Sequence, residues 1–131
     1  MAGILLLLTT FTVGAPIGNA DSTVESITIL FTHDLHDNLL PFEVEREQKK
    51  VTVGGYARLH SAIVEQREKD PDAILVDAGD FAMGTLFQTI YTTDAPSLQM
   101  MGQIGYDATT LGNHEFDFRS VGLASACVFT V

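Results

Sequence analysis

Beyond its first apolar run, the chain places hydrophobic residues in short strand-like blocks that alternate with helical stripes. Residues 26–32 (SITILFT) are dense in β-branched and aromatic side chains and predict a buried strand. Residues 42–44 and 51–53 flank a charged stretch and predict a small surface hairpin, followed by the turn signal Gly54-Gly55. Tyr56, Leu59, Ile63 and Val64 then recur at helical spacing to about Lys69, with charges on the opposite side, and Asp70-Pro71-Asp72 ends that helix. Residues 73–76 (AILV) predict a second buried strand. Asp94-Ala95-Pro96 resembles a helix start with Asp94 as N-cap; Leu98, Met101 and Ile104 supply its apolar face and Gly105 its stop. Residues 108–111 predict a third strand, residues 120–126 the beginning of another helix, and residues 128–131 the beginning of another strand. Strands alternating with helices imply parallel βαβ units, and so an α/β fold.

The N-terminal run, residues 4–13, is interrupted only by threonines, and Gly18-Asn19-Ala20 supplies small residues where a signal peptidase cuts. This resembles a secretory signal peptide over residues 1–20, leaving residues 21–131 as the mature chain. No Lys or Arg precedes Arg46, so the usual basic leader is missing; the alternative is a buried strand or helix of the domain. The run is too short to span a bilayer, which takes about 20 apolar residues. Export to a periplasmic, extracellular or cell-surface location is expected, with no membrane signal beyond the leader.

At 131 residues the chain suffices for one modest domain and excludes a complete two-domain enzyme. Its 46% hydrophobic and 18% charged residues fit a folded protein rather than a disordered one. Seven basic against 17 acidic residues give a net charge of −10, and the basic residues form no stripe, which argues against nucleic acid and anionic membranes as partners. The single cysteine, Cys127, excludes an intrachain disulfide and a Cys-rich zinc site.

In parallel α/β sheets the chemistry sits beyond the carboxyl ends of the strands. All three predicted parallel strands run into polar residues suited to metals there: 33–38 (HDLHDN), 77–84 (DAGDFAMG) and 112–117 (GNHEFD). Asp34-x-His36 would put a carboxylate and an imidazole on one side of an extended segment, a pair suited to Mn, Fe or Zn. Asp80 follows Gly79, and its two oxygens can serve two ions. Asn113 offers an amide oxygen, and His114 can ligate or act as an acid. Turn chemistry alone would account for any one of these loops; their recurrence after all three strands points to a metal site. The loops hold several carboxylates and no Lys or Arg, so they need cations to relieve mutual repulsion. Two divalent ions there would make an anion site able to polarise a phosphoryl oxygen and to generate hydroxide, that is, metal-assisted hydrolysis of an anionic ester.

With these residues in view, the chain resembles the calcineurin-like metallophosphoesterases, specifically their secreted 5′-nucleotidase branch. The matching blocks are Asp34-Leu35-His36, Gly79-Asp80 with Gly84, and Gly112-Asn113-His114-Glu115-Phe116-Asp117, together with Gly54-Gly55-Tyr56-Ala57-Arg58-Leu59 and Gly105-Tyr106-Asp107. The resemblance implies the N-terminal part of a β-sandwich flanked by helices, incomplete in this chain. It implies two divalent ions (Mn, Zn, Fe or similar), with Asp34 and His36 on the first, Asp80 bridging and Asn113 on the second. His114 would face the phosphate with Asp117 orienting it, Glu115 would support the loop, and metal-bound hydroxide would attack phosphorus. The implied substrate is a small phosphate ester, in the first instance a nucleotide. The family has Asn where His33 stands and Gly where Asp37 stands. Here His33 is read as structural and turned away from the site, and Asp37 as an exposed loop carboxylate. The family's further histidine ligands lie downstream, whereas no histidine follows Asp117. The chain therefore reads as a truncated, inactive fragment, the alternative being a non-catalytic metal- or partner-binding α/β module. His60 is read as a partly buried structural histidine, Met83, Met100 and Met101 as core filling, and Phe81 and Phe87 as core or site wall.

Overall fold

The computed structural model describes residues 9–11 and 26–128. Its main sheet has the order β1-β2-β5-β6, formed by β1 (Thr9–Phe11), β2 (Ile27–Thr32), β5 (Ile74–Asp77) and β6 (Ala108–Thr109). β2, β5 and β6 run parallel, as the βαβ pattern requires, while β1 pairs antiparallel with β2. Helix α1 (Tyr56–Lys69) lies between β2 and β5 in the chain, and α2 (Tyr91–Asp94) and α3 (Pro96–Ile104) lie between β5 and β6. A separate hairpin pairs β3 (Phe42–Arg46) with β4 (Lys49–Val53), each strand two residues longer than the apolar blocks alone predict. Helix α4 (Arg119–Val128) follows the last motif, so Val128 ends a helix and does not open a strand. Residues 129–131 lie outside the described residues, as does the expected leader apart from β1.

Alternation in the strands separates two faces. Leu30 and Leu75, paired across β2 and β5, are buried in one core with Tyr56, Leu59 and Ile63 of α1 and Met101 and Ile104 of α3. Burying such side chains stabilises by roughly 1.5–3 kcal/mol each. Ile27, Ile29 and Ile74 project on the other face and are 60%, 37% and 41% exposed. A sandwich would cover that face, and among the described residues no second layer does so. Val64 also departs from expectation: it is exposed, because the stripe of α1 that meets the core is centred on Leu59 and Ile63. His60, on the same helix, is exposed and not partly buried.

Asp94 does not cap α3. It ends α2, its carboxylate accepts the Thr93 hydroxyl at 2.6 Å, and Ala95 enters α3 in the left-handed region at φ 41° with Pro96 in the first turn. The preceding helical turn commits the Asp94 backbone, so its side chain has no free helix N-terminus to reach. Gly105 does end α3, at φ 87°.

Across the carboxyl ends of the parallel strands runs a polar row. Asp77, buried, accepts hydrogen bonds from the Thr32 hydroxyl (2.6 Å), the Thr109 hydroxyl (2.9 Å) and the Gly79 amide (2.9 Å). Burial raises its pKa, and these donors oppose the rise. One side chain thereby fixes three strand ends and the first residues of the loop that follows β5.

Candidate metal centre

The loop after β2 lies along the loop after β5 through a ladder of backbone hydrogen bonds. The amides of Asp34, His36 and Asp37 donate to the carbonyls of Gly79, Asp80 and Phe81 at 2.9–3.0 Å. This pairing bends the chain sharply, and Asp34, His36, Asp37, Asp80 and Met83 all have φ between 48° and 68°. Non-glycine residues are rarely held there, and such positions concentrate at functional sites. Gly79 sits at φ 92°, and a Cβ on it would come within 2.5 Å of the Gly112 amide nitrogen. A Cβ on Gly112 would strike the Asp80 carboxylate. Glycine at both positions lets the β5 and β6 loops meet backbone to backbone, bringing Asp80 beside His114.

His36, Asp80 and His114 each direct one ligand atom into a cluster whose atoms all lie within 4.8 Å of one another. The two imidazoles meet edge to face with ring centroids 5.1 Å apart. His36 Nδ1 lies 3.1 Å from the Met83 carbonyl oxygen; a carbonyl only accepts, so Nδ1 carries a proton, and in the neutral ring Nε2 keeps its lone pair. Asp34 Oδ1 stands 3.4 Å from that Nε2, while its Oδ2 contacts His33 Nδ1 at 2.5 Å. The hydrogen bond from His33 holds the Asp34 carboxyl below the usual range. His114 Nδ1 contacts Asp117 Oδ2 at 2.8 Å, which raises the imidazole pKa above 6.5, and the His114 amide donates to Asp80 Oδ1 at 3.0 Å. Asn113 immediately precedes His114 and is exposed. Two imidazoles with carboxylates are donors suited to first-row divalent ions.

Two fully buried carboxylates brace the centre. Glu115 takes the amides of Asp80 (3.0 Å), Ala82 (3.0 Å) and Gly112 (2.6 Å), clamping the β5 loop to the β6 loop. Asp37 takes the Met83 amide (2.8 Å) and the Ser97 hydroxyl (2.5 Å), and burial raises its pKa.

No protein-family model matches the chain. Among curated proteins, it is 37% identical over 100 residues to the 5′-nucleotidase of Rattus norvegicus and 40% identical over 101 residues to that of Homo sapiens, each alignment taking in 74% of this chain. It is 30% identical over 127 residues, 94% of its length, to the NAD 5′-nucleotidase of Haemophilus influenzae. Among solved structures, the 5′-nucleotidase precursor from Thermus thermophilus matches with a TM-score of 0.66 at 34% identity over 76% of this chain. The calcineurin-like phosphoesterase YfkN from Bacillus subtilis matches with 0.65 at 30% identity over the same share. In sequence and fold the chain matches the metallophosphoesterase 5′-nucleotidase family. It corresponds to the N-terminal portion, spanning 17% of the rat and human relatives, 20% of the Thermus structure and 33% of YfkN.

Within this 5′-nucleotidase-family fold, the three motif loops named from sequence do converge, and His36, Asp80 and His114 meet. The route differs from the one expected for Asp34-x-His36. The segment is not extended; left-handed backbone at both residues turns the pair together. Glu115 supports the loop as expected. Asp37 does not: it is 1% exposed, because its carboxylate finds two donors inside the fold. His33 is not turned away, since its ring reaches the Asp34 carboxylate and stacks on Phe31. Phe81 is fully buried core, whereas Phe87 lines a cleft of about 410 Å³ beside Asp37 with Leu40, Phe42 and Leu86. The Met83 carbonyl and the Ser97 hydroxyl were not singled out in the sequence. No spacing rule marks either, because both act through backbone or burial.

Proposed function

We propose that the chain carries the N-terminal share of a metal-dependent phosphoesterase acting on nucleotides. The observation that carries this is the convergence of His36, Asp80 and His114 at the carboxyl ends of parallel strands, in a chain whose relatives are named 5′-nucleotidases. Divalent ions, when bound, polarise a phosphoryl oxygen and bring a water's pKa near neutrality. His36 through Nε2, with Asp34 and Asp80, would hold one ion, and Asp80 with Asn113 would hold a second. His114, with Nδ1 held by Asp117, turns Nε2 to the ester. Its raised pKa keeps the imidazolium available to protonate the departing nucleoside oxygen. Four ligands do not fill the coordination of two ions. Turnover by these 131 residues alone is therefore expected to be slight. Residues 1–20 serve as an export signal, and cleavage after Ala20 removes β1 and frees the outer edge of β2.

Manganese binding to the full chain, followed by electron paramagnetic resonance, tests the reading. Saturable binding that weakens at least tenfold in both Asp80→Asn and His36→Gln is expected. Binding unchanged by both substitutions would overturn the assignment. In parallel, phosphate release from AMP should be equal in wild type and Asp80→Asn; robust Asp80-dependent release would show that the site needs no further ligands.

A further inference from the structure

Asp37 occupies a position where a carboxylate is unexpected on two counts. Its backbone lies at φ 51°, in the region that favours glycine, and its side chain is essentially inaccessible to solvent. A buried carboxylate beside a candidate metal ligand is costly unless its oxygens are satisfied. Both are: Oδ2 accepts the Met83 amide and Oδ1 accepts the Ser97 hydroxyl of α3. The Asp37 carbonyl accepts the Thr85 hydroxyl at 3.0 Å, a further tie to the β5 loop.

Met83 connects this residue to the site. The residue whose amide donates to Asp37 is the one whose carbonyl accepts the His36 Nδ1 proton. Met83 is itself in the left-handed region at φ 68°, so its orientation depends on external bonds. Gly84 packs on His36 from the same side: a Cβ there would sit 2.7 Å from the His36 carbonyl oxygen. The carbonyl that selects the His36 tautomer therefore belongs to a residue fixed at its amide by Asp37, and Asp37 is fixed by α3. A partner on the second nitrogen of a ligating histidine sets its tautomer and ring orientation, and loss of such a partner costs about 10–100-fold in metal affinity.

We propose that Asp37 is a positioning residue: through Met83 it holds His36 in the tautomer and orientation that present Nε2 to a divalent ion, and it ties that imidazole to α3. This rests on the reading of His36 as a metal ligand, but its first consequence is visible without metal.

Three variants separate the role from simple structural support. Asp37→Gly removes the carboxylate while suiting the local backbone. Asp37→Asn keeps an oxygen for the Met83 amide and offers an N–H to the Ser97 oxygen. Ser97→Ala loosens the carboxylate without touching the loop. The full chain, labelled with ¹⁵N-histidine and free of metal, is compared by long-range ¹H–¹⁵N correlation, with the His36 signals assigned from His36→Gln. Wild type and Asp37→Asn should show the Nδ1-protonated tautomer, and Asp37→Gly a mixture. Manganese affinity should fall about 10–100-fold in Asp37→Gly and stay within about threefold in Asp37→Asn. A wild-type tautomer and wild-type affinity in folded Asp37→Gly overturn the proposal. Should Asp37→Gly not fold, Ser97→Ala decides: a shift of the tautomer toward the mixture supports the role, and an unchanged spectrum refutes it. A wild-type chain that binds no manganese would defeat the metal-ligand reading instead, with the tautomer comparison still deciding for or against Asp37.

Discussion

Glu115→Gln isolates the clamp between the two loops that carry Asp80 and His114. Three backbone amides, those of Asp80, Ala82 and Gly112, converge on the two oxygens of a side chain with no exposed surface. Glutamine has one acceptor oxygen. Placed where Oε2 stands, that oxygen keeps the Asp80 and Gly112 amides, and its NH₂ then faces the Ala82 amide, donor to donor. One buried donor left unsatisfied costs about 1–3 kcal/mol, and two hydrogen bonds that lose a charged acceptor give up about 1 kcal/mol each. The net loss is about 3–5 kcal/mol, a large part of the roughly 5–15 kcal/mol that holds a domain folded. Urea unfolding of the full chain at pH 7, followed by circular dichroism with chelator present, reads this directly. With a slope of about 1–3 kcal/mol per molar urea, the midpoint should fall by about 1–5 M. A variant within about 0.5 kcal/mol of wild type, at an unchanged slope, would mean that the three amides find other acceptors and that Glu115 is no clamp.

Asp117→Asn should lower the His114 pKa toward 6.5 in an NMR titration, because the Asp117 carboxylate is the main cause of its rise. A pKa raised on folding stabilises the protein fully below the unfolded value and ceases to do so as pH climbs through the folded one. The stability advantage of wild type over Asp117→Asn should accordingly be larger at pH 6 than at pH 9; the reverse trend would contradict the pairing. Gly79→Ala should cost about 2–4 kcal/mol in urea unfolding, since it combines left-handed strain with overlap against the Gly112 backbone. Gly102→Ala, in α3 with open space around it, should instead stabilise by about 0.5–1 kcal/mol, and equal effects at the two sites would refute the close-approach argument.

The elements that the sequence made legible are those set by short-range rules. Residues 26–32 and 73–76 read as strands because β-branched and apolar side chains crowd a few consecutive positions. α1 reads as a helix because Tyr56, Leu59 and Ile63 recur on one side of it, and all three are buried. Placing strands of this kind in parallel also puts the residues after each strand at one edge of the sheet, so the loops with Asp34, His36, Asp80 and His114 could be named before any contact was known. Where a local rule met a competing neighbour it failed. Asp94 has the right chemistry for a cap and lost the position to the helical turn before it.

What tertiary structure decided are contacts between residues far apart in the chain. Asp37 reads as an exposed turn residue, yet its two donors come from positions 83 and 97. Burial of a carboxylate depends on whether distant segments bring it donors, and no local window contains them. The tautomer of His36 likewise depends on a backbone carbonyl 47 residues away, a group that every residue possesses and that no residue type signals. Sequence by itself determined the candidate ligand types and the order in which they arrive. The fold alone determined the left-handed backbone that aims Asp34 and His36, and the buried Asp37 and Glu115 that hold the loops in place, because both arise from hydrogen bonds that form only once the strands are side by side.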